Sequence, residues 1–155
     1  MIKKILTYPK DKEILTKVSE PVTEFNDKIK KLIQDLKDTV QYNGGAGISA
    51  IQLGEPLQIC VINWAGIHVL VNPSITRSRG EHTMREGCLS VPGLFVDTTR
   101  AQKVWVKALD ENGNEYEYAE GGNGSYIVQH EMDHFQGKCS LFEEYEKVVA
   151  NENNK

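Results

Sequence analysis

Five consecutive residues, His130-Glu131-Met132-Asp133-His134, have types and spacing that suit metal chemistry. Residues four apart share one face of a helix, so both imidazoles can reach a single ion. Glu131 flanks that face without being forced to be a ligand, the place for a general base acting on water. The bare HExxH pattern also arises by chance, and then its histidines are merely packed or exposed. A catalytic site of this kind needs a third protein ligand and one open position. In the longer HExxHxxGxxH pattern Gly137 fits, but Ser140 stands where the histidine belongs and Cys139 is one residue early. Downstream acids, Glu143, Glu144 and Glu146, lie in a short charged tail. Cys88 is the remaining candidate: a thiolate suits a borderline-soft divalent metal, and Gly87 lets the backbone approach closely. Taken alone, an intracellular cysteine is more often a buried, inert thiol.

The elements that must position these residues can be read from patterning. Ile29, Leu32, Ile33, Leu36 and Val40 recur at helical spacing, predicting an amphipathic helix from Asp27 to Val40, with Asn26 as its N-cap and Gly44-Gly45 ending the run. A glycine-rich loop follows, Gly44 to Gly54. Leu57–Ile62 and Ile67–Val71 read as strands joined by the turn Asn63-Trp64-Ala65-Gly66. Lys103–Leu109 and Asn114–Tyr118 read as two more, joined by Asp110-Glu111-Asn112-Gly113. Ser125 to Gln136 reads as the last helix, stopped at Gly137. Helix, strands, then helix, without βαβ alternation, favours α+β: antiparallel sheets packed around a central metal-binding helix, with the amphipathic helix on the N-terminal side.

A chain of 155 residues fits one domain, expected over 1–150, with a disordered tail over 151–155. Net charge −4 and a sequence pI of about 5.6 argue against a nucleic-acid binder. No segment is apolar enough to span a bilayer or to serve as a signal peptide, so the expected place is a reducing cytoplasm or organelle matrix. Three cysteines, an odd number, fit poorly with a disulfide framework; Cys60 reads as a small core hydrophobe, and Cys139 has no assigned role.

Three segments together carry a resemblance. Gly45-Ala46-Gly47-Ile48-Ser49-Ala50-Ile51-Gln52, Glu86-Gly87-Cys88-Leu89-Ser90 and Gln129-His130-Glu131-Met132-Asp133-His134 resemble, in order and spacing, the three motifs of peptide deformylases. Ile5-Leu6-Thr7-Tyr8-Pro9, Val71-Asn72-Pro73 and Arg100-Ala101 also match, so the likeness spans about residues 2–142.

The resemblance implies a metal-dependent hydrolase that removes the formyl group from the N-terminal formyl-methionine of nascent polypeptides and releases formate. By it, Cys88, His130 and His134 bind the metal and Glu131 is the base. The side-chain amide of Gln52 and the backbone N–H of Leu89 stabilise the oxyanion. The backbone of Gly47 pairs with the substrate, and Ala46, Met84, Tyr126 and Ile127 line the methionine pocket, with Gly45 and Gly87 beside them. Asp133 and Arg100 form an ion pair behind the site. The family's metal is commonly ferrous iron, with nickel, cobalt or zinc able to replace it. The chain departs from the pattern at Ser49, usually Ala, at Tyr126, larger than the usual aliphatic residue, and at Phe95, where some bacterial members have Arg. Little follows Phe142, where common bacterial members carry a long helix able to dock on the ribosome. At most two turns are expected over Glu143–Ala150, and docking through the tail is not expected. The short form resembles the truncated deformylases of organelles and some bacteriophages, and the expected place is the cytoplasm, bacterial or, for a phage-encoded protein, that of the host.

Overall fold

The computed structural model describes residues 1–154. After a single turn, α1 (Lys12–Leu15), the amphipathic helix α2 runs Asp27–Tyr42. The Asn26 side chain accepts from the Ile29 N–H at 3.1 Å, satisfying one of the orphan donors at the helix start. All five residues of the expected apolar stripe are buried. They pack on one face of a five-stranded antiparallel sheet in the order β1-β2-β3-β4-β5, with β1 Gly47–Ser49, β2 Ile59–Asn63, β3 Ile67–Cys88, β4 Val91–Leu109 and β5 Glu115–Gly121. Helix α3, Asn123–His134, packs against β1, β2, β4 and β5, with Val128 and Phe135 in a second core beside Cys60, Ile62 and Leu70.

The expected hairpin across Asn63–Gly66 is present, with Ile62 opposite His68. The glycine-rich segment is more ordered than a loop: it forms β1 and then one turn of 3-10 helix, Ala50–Leu53. Strands β3 and β4 are far longer than their apolar cores, 22 and 19 residues. Two register shifts lie between Val71 and Arg77, where Pro73 has no N–H to give the ladder, and a third lies between Glu86 and Cys88. The last shift ends β3 at Cys88, and the turn Leu89-Ser90 starts β4.

The C-terminal expectation needs correcting. Instead of at most two turns, α4 runs Ser140–Asn153, 14 residues. Its first turn is anchored: Leu141 and Phe142 are buried, Phe142 stacks on Tyr8 at 4.4 Å, and Tyr8 donates to Glu146 at 2.5 Å. Tyr145, Val148 and Val149 continue the half-buried side. Of the expected disordered tail, Asn151–Asn153 are helical and Lys155 lies outside the described residues. Between α3 and α4 the chain reverses at Gly137, whose φ is +71°; a Cβ there would sit 2.2 Å from the Thr16 carbonyl oxygen. Among the described residues, no helix is long and apolar enough to cross a membrane.

Candidate active site

The three expected metal ligands meet, although they come from two distant stretches of chain. Cys88 Sγ lies 3.5 Å from His134 Nε2. Metal–sulfur bonds of about 2.3 Å and metal–nitrogen bonds of about 2.0–2.1 Å across a tetrahedral angle place sulfur and nitrogen about 3.6 Å apart, so this edge fits one divalent ion. His130 and His134 are buried on one face of α3, their rings 5.0 Å apart. His130 Nδ1 lies 2.6 Å from Glu86 Oε1. A carboxylate only accepts, so Nδ1 carries the hydrogen and Nε2 keeps its lone pair for a metal.

Glu86, to which the sequence reading gave no role, is the hub behind the ligands. Oε1 accepts from His130, Arg100 Nη2 at 2.8 Å and Ser140 Oγ at 2.9 Å; Oε2 accepts from Thr98 Oγ1 at 2.6 Å and Arg100 Nε at 2.9 Å. Burial alone would raise the Glu86 carboxyl, but the bonds from Arg100, His130 and Thr98 outweigh it and hold it well below the usual range. The expected pair is present too: Arg100 Nη1 donates to Asp133 Oδ2 at 2.9 Å.

Glu131 is buried beside the ligands, and burial pushes its carboxyl up to about 7, against the opposing pull of His130 and the Ser49 hydroxyl. Gly47 leaves room for it: a Cβ there would lie 2.7 Å from Glu131 Oε2 and 2.8 Å from Ile127 Cγ2. Gln52 is also buried. Its Oε1 accepts from the Ser49 N–H at 2.9 Å, which turns Nε2, the donor end, toward Ser90 Oγ at 3.0 Å and Cys88 Sγ at 3.7 Å. The amide thus points its donor end at Ser90 and at the sulfur of Cys88, one of the expected ligands.

Ser49 joins these two side chains. Its hydroxyl accepts from the Gln52 backbone N–H and lies 2.8 Å from the Glu131 carbonyl and 3.1 Å from Glu131 Oε1. Replacing Ser49 by Ala should lower kcat about five-fold, the worth of one hydrogen bond, and lower the melting temperature by a few degrees, because the Gln52 N–H and the Glu131 carbonyl lose a buried partner, while KM stays near the parent value. Steady-state kinetics check this; a change in KM alone would show that the hydroxyl acts on substrate binding instead.

A cavity of about 900 Å³ opens onto Cys88, His130, Glu131 and Gln52. Every residue expected at the substrate lines it: Gly45, Ala46, Gly47, Met84, Gly87, Leu89, Tyr126 and Ile127. The Tyr126 hydroxyl is turned away from any ligand: it accepts from the Met84 N–H at 2.7 Å and faces the carbonyls of His82 and Thr98, tying β3 to β4. Phe95, half-exposed, covers Gly87 at the cavity wall. The sequence reading also missed Ile2 to Ile5 as cavity lining. Leu6 N–H donates to the Gln52 carbonyl at 2.8 Å and Tyr8 N–H to the Ser90 carbonyl at 2.9 Å, docking the N-terminal segment against the site. Cys139 is a further surprise: its thiol lies within 4.8 Å of the ligand atoms of Cys88, His130 and His134.

The polypeptide deformylase family model matches residues 2–147. The chain belongs to the peptide deformylase family. A peptide deformylase of Methylacidiphilum infernorum is 36% identical over 94% of this chain and 85% of its own length. Peptide deformylase 1 of Clostridium perfringens is 42% identical over 82% and 88%. The crystal structure of a Legionella pneumophila peptide deformylase superposes with a TM-score of 0.84 at 36% identity, covering 97% of this chain and 98% of that one. Peptide deformylases are metal-dependent hydrolases that remove the formyl group from N-terminal formyl-methionine and release formate, and this is the chain's activity. Its fold is the α+β deformylase fold, as expected.

Proposed function

We propose that Cys88, His130 and His134 hold one divalent metal ion, and that Glu131, Gln52 and Leu89 carry out deformylation around it. The convergence of the three donors, with Cys88, His130 and Glu131 lining one cavity and His134 buried behind them, carries this reading. When bound, the metal supplies Lewis acidity, lowering the pKa of water and polarising the formyl oxygen. Glu131 Oε2, on the open side above Gly47, takes a proton from the attacking water and returns it to the leaving amine. The oxyanion on the former formyl carbon accepts from Gln52 Nε2 and the Leu89 N–H. Ser49 fixes both Gln52 and Glu131 before substrate arrives, so neither reorganises at the moment of reaction.

The peptide backbone of a nascent formyl-Met chain runs beside Gly45, Ala46, Gly47 and Gly87. The methionine side chain enters between Met84, Tyr126 and Ile127, where the Tyr126 ring offers apolar surface because its hydroxyl is already occupied. Phe95 supplies apolar contact where Arg would hydrogen-bond the peptide. The chain works as one catalytic domain over 1–150 in a bacterial-type cytoplasm, without nucleic acid or membrane as partner. Helix α4 does not dock on the ribosome: Leu141 and Phe142 are committed to the core, and Glu143 and Glu146 face outward, a poor match for a polyanionic RNA surface.

Ferrous iron is the native metal. A formate-release assay on formyl-Met peptides, with metal content measured on the same sample, tests this. Protein prepared without oxygen should hold about one iron per chain and lose most of its activity in air. Equal activity of the aerobic and anaerobic preparations would contradict the ferrous assignment.

A further inference from the structure

Cys139 has no task in deformylation, yet its thiol sits within 4.8 Å of the Cys88 thiol and of both imidazoles. Cys88 and Cys139 belong to one apolar cluster with Tyr8, Leu15, Leu141 and Phe142. They differ in access. Cys88 lines the cavity, whereas Cys139 is buried and does not. A small solute entering the cavity therefore meets Cys88 first, with Cys139 behind it. The third cysteine, Cys60, is fully buried in the other core. Both thiols stand at element ends, Cys88 closing β3 and Cys139 at the N-cap position of α4.

We propose that Cys139 is a resolving thiol that captures oxidised Cys88 as a Cys88–Cys139 disulfide when hydrogen peroxide enters the cavity. The Cys88 thiolate attacks one peroxide oxygen. The O–O bond breaks, hydroxide leaves and takes up a proton, and Cys88 becomes a sulfenic acid. Cys139 sulfur then attacks the Cys88 sulfur. The S–O bond breaks, and the departing hydroxide takes the thiol proton as a second water. In sum, two thiols and one peroxide give one disulfide and two waters. The disulfide takes Cys88 out of the donor set, and a dithiol reductant returns it. Without Cys139, the sulfenic acid proceeds to the sulfinic and sulfonic acids, which thiols do not reverse. The switch rests on Cys88 being a metal ligand, but the bond itself is read by mass alone.

Nickel-loaded protein, and the same protein stripped with a chelator, should be treated with a few-fold molar excess of hydrogen peroxide, enough for the two equivalents that a sulfinic acid consumes, and digested without reduction for mass spectrometry. The wild type should yield a Cys88–Cys139 peptide about 2 Da lighter than its two thiol parts. Formate release should fall in step with that peptide and return with dithiothreitol and Ni2+. In Cys139→Ser, of nearly the same size, Cys88 should instead gain about 32 Da, with no recovery on reduction. Sulfinic acid at Cys88 in equal yield in wild type and C139S would overturn the proposal, as would a cross-link to Cys60 or none at all. The wild-type peptide map decides even if C139S fails to fold. A cross-link in protein that releases no formate would count against the deformylase roles and not against the resolving thiol.

Discussion

Replacing Glu131 by Gln should leave the metal in place and lower formate release by about 10²- to 10⁴-fold, the usual contribution of a positioned acid–base group. The substitution changes almost nothing else. Gln has the same length, can still accept from the Ser49 hydroxyl, and fits the space that Gly47 leaves open. Cys88, His130 and His134 are untouched, so metal content should equal that of the parent. What disappears is the ability to take a proton from water and return it to the amine. Burial has already brought this carboxyl up to about 7, near the pH at which one group can do both. Formate release and metal content measured on one sample separate the cases. Unchanged turnover would remove Glu131 as the base; a loss of metal would make its role structural.

The second large effect should come from a residue that touches neither substrate nor metal. Glu86→Ala removes the acceptor of His130 Nδ1–H and leaves the Arg100 guanidinium, side chain 11% exposed, without its bidentate partner. Breaking a buried ion pair from one side costs about 3–5 kcal/mol, because the remaining charge stays desolvated. Losing the group that orients a metal-bound histidine weakens metal binding about 10- to 100-fold. Glu86→Ala should therefore melt well below the parent and yield its metal to a weaker chelator. Asp133→Asn offers a control on the same arginine. Asp133 is 43% exposed, solvent screens its pair, and its loss should cost under about 1 kcal/mol. Equal effects of the two substitutions would show that Arg100, and not the path to His130, is what Glu86 serves.

The parts of this protein legible in its sequence are those whose signal is local. The 3.6-residue stripe of α2 and the HExxH of α3 each lie within one helix, where spacing alone decides which residues share a face. The long middle of β3 was silent for a physical reason. From Ser74 to Glu81 both faces are exposed, so no alternation of apolar and polar residues marks the strand, and Pro73 reads as a break. Helix α4 was underestimated because only Leu141 and Phe142 are buried and its exposed side carries Glu143, Glu146 and Glu152. In the site, His130, Glu131 and His134 announced themselves because type and spacing fall within one helix, whereas Cys88 and Gln52 became readable only through the three motifs taken together. Glu86 and Ser49 did not. A carboxylate and a hydroxyl are ordinary on any surface, and what gives them a role is contact across 44 and 82 residues of chain. Cys139 was passed over as one residue away from a pattern it does not belong to.

The central claim is that one metal ion is held by one thiolate and two imidazoles. X-ray absorption at the metal edge of the zinc- or cobalt-loaded protein tests it most directly. One sulfur at about 2.3 Å and three lighter donors at about 2.0–2.1 Å are predicted, with the sulfur shell lost in Cys88→Ser. A shell without sulfur, or one with two sulfurs from Cys88 and Cys139 together, would contradict it.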